Sequence, residues 1–128
     1  MKEVIAVIRM DMISKTKEAL LLEGFPALNC RKVMGRGKKK VDFTLIEKFI
    51  TDGMEISSPR AAEAVSEGHR LVPKRLLSLI VKDDDVKKVI EAVMNTNSRG
   101  NPGDGKIFVL PVTDCIRIRT GESGEEAV

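Results

Sequence analysis

Near the start of the chain Val4, Ala6, Ile8 and Met10 alternate with Ile5, Val7 and Arg9. This two-residue period, in a stretch rich in β-branched side chains, predicts a strand buried on at least one face. Over 15–23 the pattern changes to the helix formers Lys17-Glu18-Ala19-Leu20-Leu21-Leu22, with Ser14 expected as the N-cap, Gly24 as the stop and Pro26 blocking continuation. An extended pattern resumes over 27–35, where Leu28, Cys30, Lys32 and Met34 share one face. Periodicity then dissolves over 37–70, and so long a loop in a compact chain is usually functional or disordered. Two short helices, over 44–49 and over 59–66, fit inside it, the second because Pro59 after Ser57-Ser58 suits a helix start. A strand follows over 71–82, with Leu77, Leu79 and Val81 alternating with Leu76, Ser78 and Ile80. Asp83, Asp84 and Asp85 then stand where they can cap the clearest helix, whose Val86, Val89, Ile90, Val93 and Met94 form a stripe for the core. That helix runs out in Asn95-Thr96-Asn97-Ser98, and a glycine-rich loop leads to a strand over 106–112 and an extended tail over 115–120. The acidic end, 121–128, is expected to fray.

The order β-α-β, long loop, β-α-β predicts an α+β fold of the ferredoxin-like βαββαβ type. Residues 1–128 then make one domain whose long loop falls between strands 2 and 3. Both helices would cover one face of the sheet. Ile5, Val7, Leu76 and Ile80 are too apolar to face water on the other, so self-association into a closed symmetric ring is expected.

Composition narrows the chemistry. A net charge of +3 is too small to imply a nucleic-acid or membrane partner. With four Phe and no Trp or Tyr there is little to stack on bases or flat cofactors. Two separated cysteines, Cys30 and Cys115, and one histidine, His69, form no metal-ligand pattern; the cysteines read as small core residues of a protein in a reducing compartment. No apolar run approaches the roughly 18 residues that cross a bilayer, and no cleavable leader is evident, so a cytoplasmic location without membrane insertion is expected.

Three basic groups remain. Gly100-Asn101-Pro102-Gly103-Asp104-Gly105-Lys106 satisfies GxxxxGK as letters, but it follows a helix, opens a strand and lacks the Ser/Thr of a P-loop. Its glycine amides could still line an anion nest beside Lys106, and the plain alternative is a turn with a solvated lysine. Arg117 and Arg119 alternate with Ile116 and Ile118, so in an extended chain both guanidiniums point to one side and would converge on an anion. An exposed pair guarding an edge strand is the other reading. Arg36-Gly37-Lys38-Lys39-Lys40 stands at the root of the long loop, where it could close over a polyphosphate.

Together these groups resemble the PII family of nitrogen-signalling proteins. The likeness is carried by Gly103-Asp104-Gly105-Lys106-Ile107-Phe108-Val109-Leu110 and Ile116-Arg117-Ile118-Arg119-Thr120-Gly121-Glu122, with Val33-Met34-Gly35-Arg36-Gly37 before the loop and Val72-Pro73-Lys74 after it. The resemblance implies a homotrimer with clefts between neighbours that bind ATP or ADP, and 2-oxoglutarate together with Mg-ATP. It assigns Gly103, Asp104, Gly105, Lys106, Arg117 and Arg119 to nucleotide phosphate and ribose, and Gly35, Gly37 and Lys38 to the loop base. Ile80 falls at an adenine-side position, Asn29 at a position commonly threonine, and Lys74 at the 2-oxoglutarate carboxylate. Lys39 replaces a glutamine that helps hold Mg²⁺ and the effector, and a lysine offers no acceptor. Tyrosine is absent, so control through a uridylylated tyrosine is excluded. The longer loop and altered base are similar to the larger nitrogenase-associated paralogue of archaea and anaerobes. That implies reversible binding of nitrogenase, either alone or in a mixed assembly with a paralogous PII-like chain. The alternative is a general PII regulator of an ammonium transporter or metabolic enzyme. An RNA-binding module of the same fold lacks its stacking aromatics here, and an ATP-hydrolysing enzyme lacks a recognisable general base, so the expectation is a binding protein rather than an enzyme.

Overall fold

The computed structural model describes residues 1–37 and 71–128. The helices expected over 44–49 and 59–66, and His69, lie outside the described residues. The chain forms two units, Met1–Val33 with Pro73–Val128, and Met34–Val72. The elements are β1 (Lys2–Arg9), a 3-10 turn (Met10–Met12), α1 (Ile13–Leu22), β2 (Asn29–Gly35), β3 (Val72–Val81), a 3-10 turn (Asp83–Asp85), α2 (Val86–Asn97), β4 (Lys106–Pro111) and a closing 3-10 turn (Gly124–Ala127). The four strands lie in the order β2-β3-β1-β4, with β1 antiparallel to both β3 and β4. This is the expected βαββαβ arrangement.

Alternation along the strands decides which side is dry. Val4, Ala6 and Ile8 of β1 and Leu77, Leu79 and Val81 of β3 are buried, and they join Leu20 of α1 and Val89 and Val93 of α2 in one core. Val4 pairs with Leu79 and Ala6 with Leu77, so the buried side chains form rows beneath the helices. Ile5, Val7, Leu76 and Ile80 point the other way and are half-buried in the single chain. Between the helices Thr16 donates to the Met12 carbonyl at 2.7 Å, which commits its hydroxyl proton, and accepts from Asn97 Nδ2 at 3.0 Å. Asn97 Nδ2 also donates to the Val93 carbonyl at 2.8 Å, so its donors are spent inside the core.

The helices differ from expectation at three points. Ser14 is not the N-cap of α1: the 3-10 turn at Met10–Met12 starts the spiral earlier, so Ser14 is already inside the helix and exposed. Asp83–Asp85 make no side-chain cap on α2; they form the preceding 3-10 turn, and Asp83 pairs with the Met1 ammonium at 3.0 Å. The hydrogen bond from that ammonium lowers the Asp83 pKa. Met94, placed on the core stripe, is 53% exposed because it sits at the stripe's margin, while Val89 and Val93 carry the burial. Gly24 does end α1: at φ +92° it lets Phe25 donate to the Leu20 carbonyl at 2.8 Å and Gly24 to the Leu21 carbonyl at 3.0 Å, the paired bonds of a left-handed helix stop.

The cysteines are not core residues. Cys30 lies exposed on β2, which ends the sheet, and Cys115 is half-buried in the segment after β4. The acidic end does not fray in the structure: Ile116 bridges to Ser123, and residues Gly124–Ala127 wind into a 3-10 turn that brings Glu125 to 4.0 Å from the Met1 ammonium. No helix among the described residues is long and apolar enough to cross a membrane.

Candidate functional site

The turn between α2 and β4 is built around one carboxylate. Asp104 Oδ2 accepts the backbone amides of Arg99 at 2.7 Å and Asn101 at 3.3 Å, and Oδ1 accepts Arg9 Nη1 at 2.6 Å. The Arg99 amide, followed by the Arg9 guanidinium, holds the Asp104 pKa down to about 2 from an ordinary 3.8. A depressed folded value means that the linkage stabilises the turn above the unfolded value and is lost as pH falls through the folded one. We expect the acid limb of stability between about pH 4 and pH 2 to flatten in Asp104→Asn. Urea unfolding at stepped pH measures this.

The turn docks against the end of β1. Arg9 Nη2 donates to the Pro102 carbonyl at 3.3 Å and Lys74 Nζ to the Gly103 carbonyl at 3.1 Å. Arg9 and Lys74 are cross-strand partners, and Lys106 pairs with Val7, so all three cations stand on the sheet face away from the helices. Of the residues that the sequence offers for a site, Lys74, Gly103, Asp104, Gly105 and Lys106 are thus brought together at one end of the sheet. Arg9, which joins them, escapes composition and motif reasoning. Its signal is its odd position at the end of a strand whose other odd residues, Ile5 and Val7, face the same open side.

Arg117 and Arg119 lie at the other end. The Val112 amide donates to the Met1 carbonyl at 3.2 Å and Glu125 approaches the Met1 ammonium, which ties the tail to the start of β1. The end of β1 near Arg9 is roughly 23 Å away at about 3.3 Å per residue. Ile80 pairs with Glu3 and belongs to this second end. The expected extended tail with both guanidiniums to one side is corrected. The chain reverses at 118–121, with Gly121 donating to the Arg117 carbonyl at 2.7 Å and Arg117 to the Glu122 carbonyl at 2.8 Å. The reversal brings Glu122 onto the Arg117 guanidinium, which also donates to the Glu126 carbonyl at 3.0 Å. Arg119 projects from the turn, exposed.

Asn29 opens β2, exposed, and Gly35 closes it; Gly37 is the last described residue before 71. Lys38 and Lys39 lie outside the described residues. No group of three His, Cys, Asp or Glu residues suited to a metal ion occurs among the described residues. Asp104, with both oxygens accepting hydrogen bonds, is not a free metal ligand.

The family model described as nitrogen regulatory protein P-II matches residues 1–122. The chain is 45% identical, over the whole of both chains, to the nitrogen fixation nifHD region GlnB-like protein 2 of Methanothermobacter marburgensis. It is equally identical to the protein of that name from Methanothermococcus thermolithotrophicus, across 100% of this chain and 98% of the relative. The nitrogen regulatory protein P-II 2 of Methanothermobacter thermautotrophicus is 34% identical, across 100% of this chain and 97% of its own. Among solved structures, Arabidopsis thaliana PII bound to citrate superposes with a TM-score of 0.70 at 31% identity, covering 98% of this chain and 87% of that one.

Proposed function

This chain belongs to the nitrogen regulatory protein P-II family, and from that premise we propose that it is a signalling trimer. It binds ATP or ADP, and 2-oxoglutarate, between its subunits, and it regulates nitrogen fixation by reversible capture of nitrogenase through its long loop. The observation that carries the reading is the division of the cationic residues. Lys74 and Gly103 to Lys106 occupy one end of the sheet, and Ile80, Arg117 and Arg119 the other. One chain cannot bring these sets onto one triphosphate; neighbouring copies in a ring can, each giving its turn to a cleft that the next completes with its tail. The apolar open face supports such an assembly, and the names of the archaeal relatives support the link to nitrogen fixation.

Within the cleft the glycine turn offers backbone to phosphate oxygens, Lys106 supplies a point charge and Arg117 a fork, which it must first release from Glu122. ATP brings the negative charge that draws these groups together, and Lys74 stands where it can receive an effector carboxylate. Nucleotide and effector then act through unequal affinity for two arrangements of the loop. With Lys39 in place of an acceptor, Mg²⁺ gains no ligand from that residue.

Titration calorimetry with ATP tests the assignment. Lys106→Ala and Arg117→Ala are each expected to weaken binding by about tenfold or more, in line with losing a charge-assisted hydrogen bond. Wild-type affinity in both variants would remove the phosphate assignment. Excision of residues 40–70 is expected to leave ATP binding and assembly intact and to abolish nitrogenase capture in a pull-down; loss of the assembly instead would make the loop structural.

A further inference from the structure

We propose that Arg9 and Lys74 form a two-jawed clamp that sets the position of the 100–105 turn, with Arg9 the fixed jaw and Lys74 the releasable one. Its value to ligand binding rests on the reading of that turn as the phosphate site; the clamp itself rests on geometry. The two side chains face each other across β1 and β3 and reach the turn from the same side of the sheet. Between them lies a glycine: a Cβ at Gly103 would stand 3.4 Å from Arg9 Nη2 and 3.8 Å from Lys74 Nζ. The jaws therefore close on bare backbone.

Their grips differ in kind. Arg9 holds a carboxylate and a carbonyl at once, through Nη1 to Asp104 and Nη2 to Pro102. The same carboxylate fixes the Arg99 and Asn101 amides, so Arg9 is wired through Asp104 to the whole turn. Charge meets charge there, over a fork whose geometry is rigid. Lys74 holds only the neutral Gly103 carbonyl at 3.1 Å and has no acidic partner among the described residues. An arriving anion outbids a carbonyl for an ammonium, because a charge-assisted hydrogen bond is roughly twice as strong as a neutral one. It does not displace Arg9, whose partner is already an anion. Anion capture by Lys74 thus opens one jaw, freeing the Gly103–Asp104 peptide, whose amide end is held by a 3.3 Å bond to the Asn101 carbonyl. Arg9 keeps the rest of the turn in place. Arg9 is a positioning residue and need not touch the ligand.

Amide hydrogen exchange on the ligand-free, full-length protein reads the two jaws separately. In Arg9→Gln the amides of Arg99 and Asn101 are expected to exchange about tenfold faster, and ADP affinity by calorimetry to fall by a similar factor. Arg9→Lys, which keeps the ion pair, should recover at least half of the lost protection. In Lys74→Met only the Asp104 amide should speed up. The amides of Val4 and Leu77, in the core strands, monitor global folding and should not change. Unchanged exchange at Arg99 and Asn101 in Arg9→Gln, or equal loosening of all three turn amides in Lys74→Met, would overturn the clamp. If the exchange pattern appears as expected while ADP fails to bind the wild type, the clamp stands and the phosphate reading of the turn falls.

Discussion

Gly105→Ala is expected to destabilise the protein by about 3 kcal/mol and to lower its melting temperature by roughly 10 °C. Gly105 has a φ of +116°, which an alanine adopts only under strain, and the new Cβ would lie 2.0 Å from the Val7 carbonyl oxygen and 3.1 Å from its carbon. Neither atom can retreat, because Val7 belongs to β1, which pairs with Leu76 of β3 on one side and Lys106 of β4 on the other. Relief must come from moving the turn or the start of β4, and both carry Lys106. Gly100→Ala is the control: its φ is +73°, but nothing stands within 4 Å of the added carbon, so only the backbone strain, about 1 kcal/mol, is expected. Thermal unfolding of both variants separates strain from collision. Equal losses in the two would mean that the turn does not press on β1 as described.

That close approach was not legible in the sequence, although the residues were. A glycine-rich stretch before a strand announces a turn, yet only the register of β4 on β1 shows which glycine meets a carbonyl. The same limit explains Arg9. Alternation placed it on the open face, and the three-dimensional return of the 99–105 segment, ninety-five residues later at Asp104, made it part of the site. Patterns of local origin were read well: the dry rows of β1 and β3, the Val89 and Val93 face of α2 and the stop at Gly24 all follow from spacing and side-chain shape. Apart from Cys30, Cys115 and Met94, which are less buried than their apolar character suggested, the readings that failed are those where a charged or hydroxyl side chain had a choice of partners. Asp83 took the Met1 ammonium instead of a helix amide, Ser14 was overtaken by a 3-10 turn, and Arg117 found Glu122 once the chain reversed. Hydrophobic periodicity is cooperative and redundant, whereas a single polar partner is decided by tertiary geometry.

The neighbours Leu76 and Leu77 turn this two-sidedness into an experiment with opposite outcomes. Leu77 is fully buried beneath the helices opposite Ala6, so Leu77→Ala leaves a cavity and is expected to cost about 3–4 kcal/mol. The loss should be visible as a lower denaturation midpoint, with no change in the mass of the folded species. Leu76, opposite Val7, is half-buried on the open face. In a lone chain Leu76→Glu would place a carboxylate beside water and cost little, within about 0.5 kcal/mol. If identical chains cover that face, the same carboxylate must be desolvated in the interface at a cost of several kcal/mol per subunit. The assembly should then dissociate at micromolar concentration, as sedimentation velocity would read directly. Dissociation has a further consequence for binding. Lys74 and Lys106 stand at one end of each chain and Arg117 at the other, so a monomeric Leu76→Glu should lose nucleotide affinity by a hundredfold or more with every ligand-contacting residue intact. A variant that sediments as the wild type would exclude the open face as the interface. A monomer that binds ATP with undiminished affinity would show that the site is complete within one chain, against the separation of its cations.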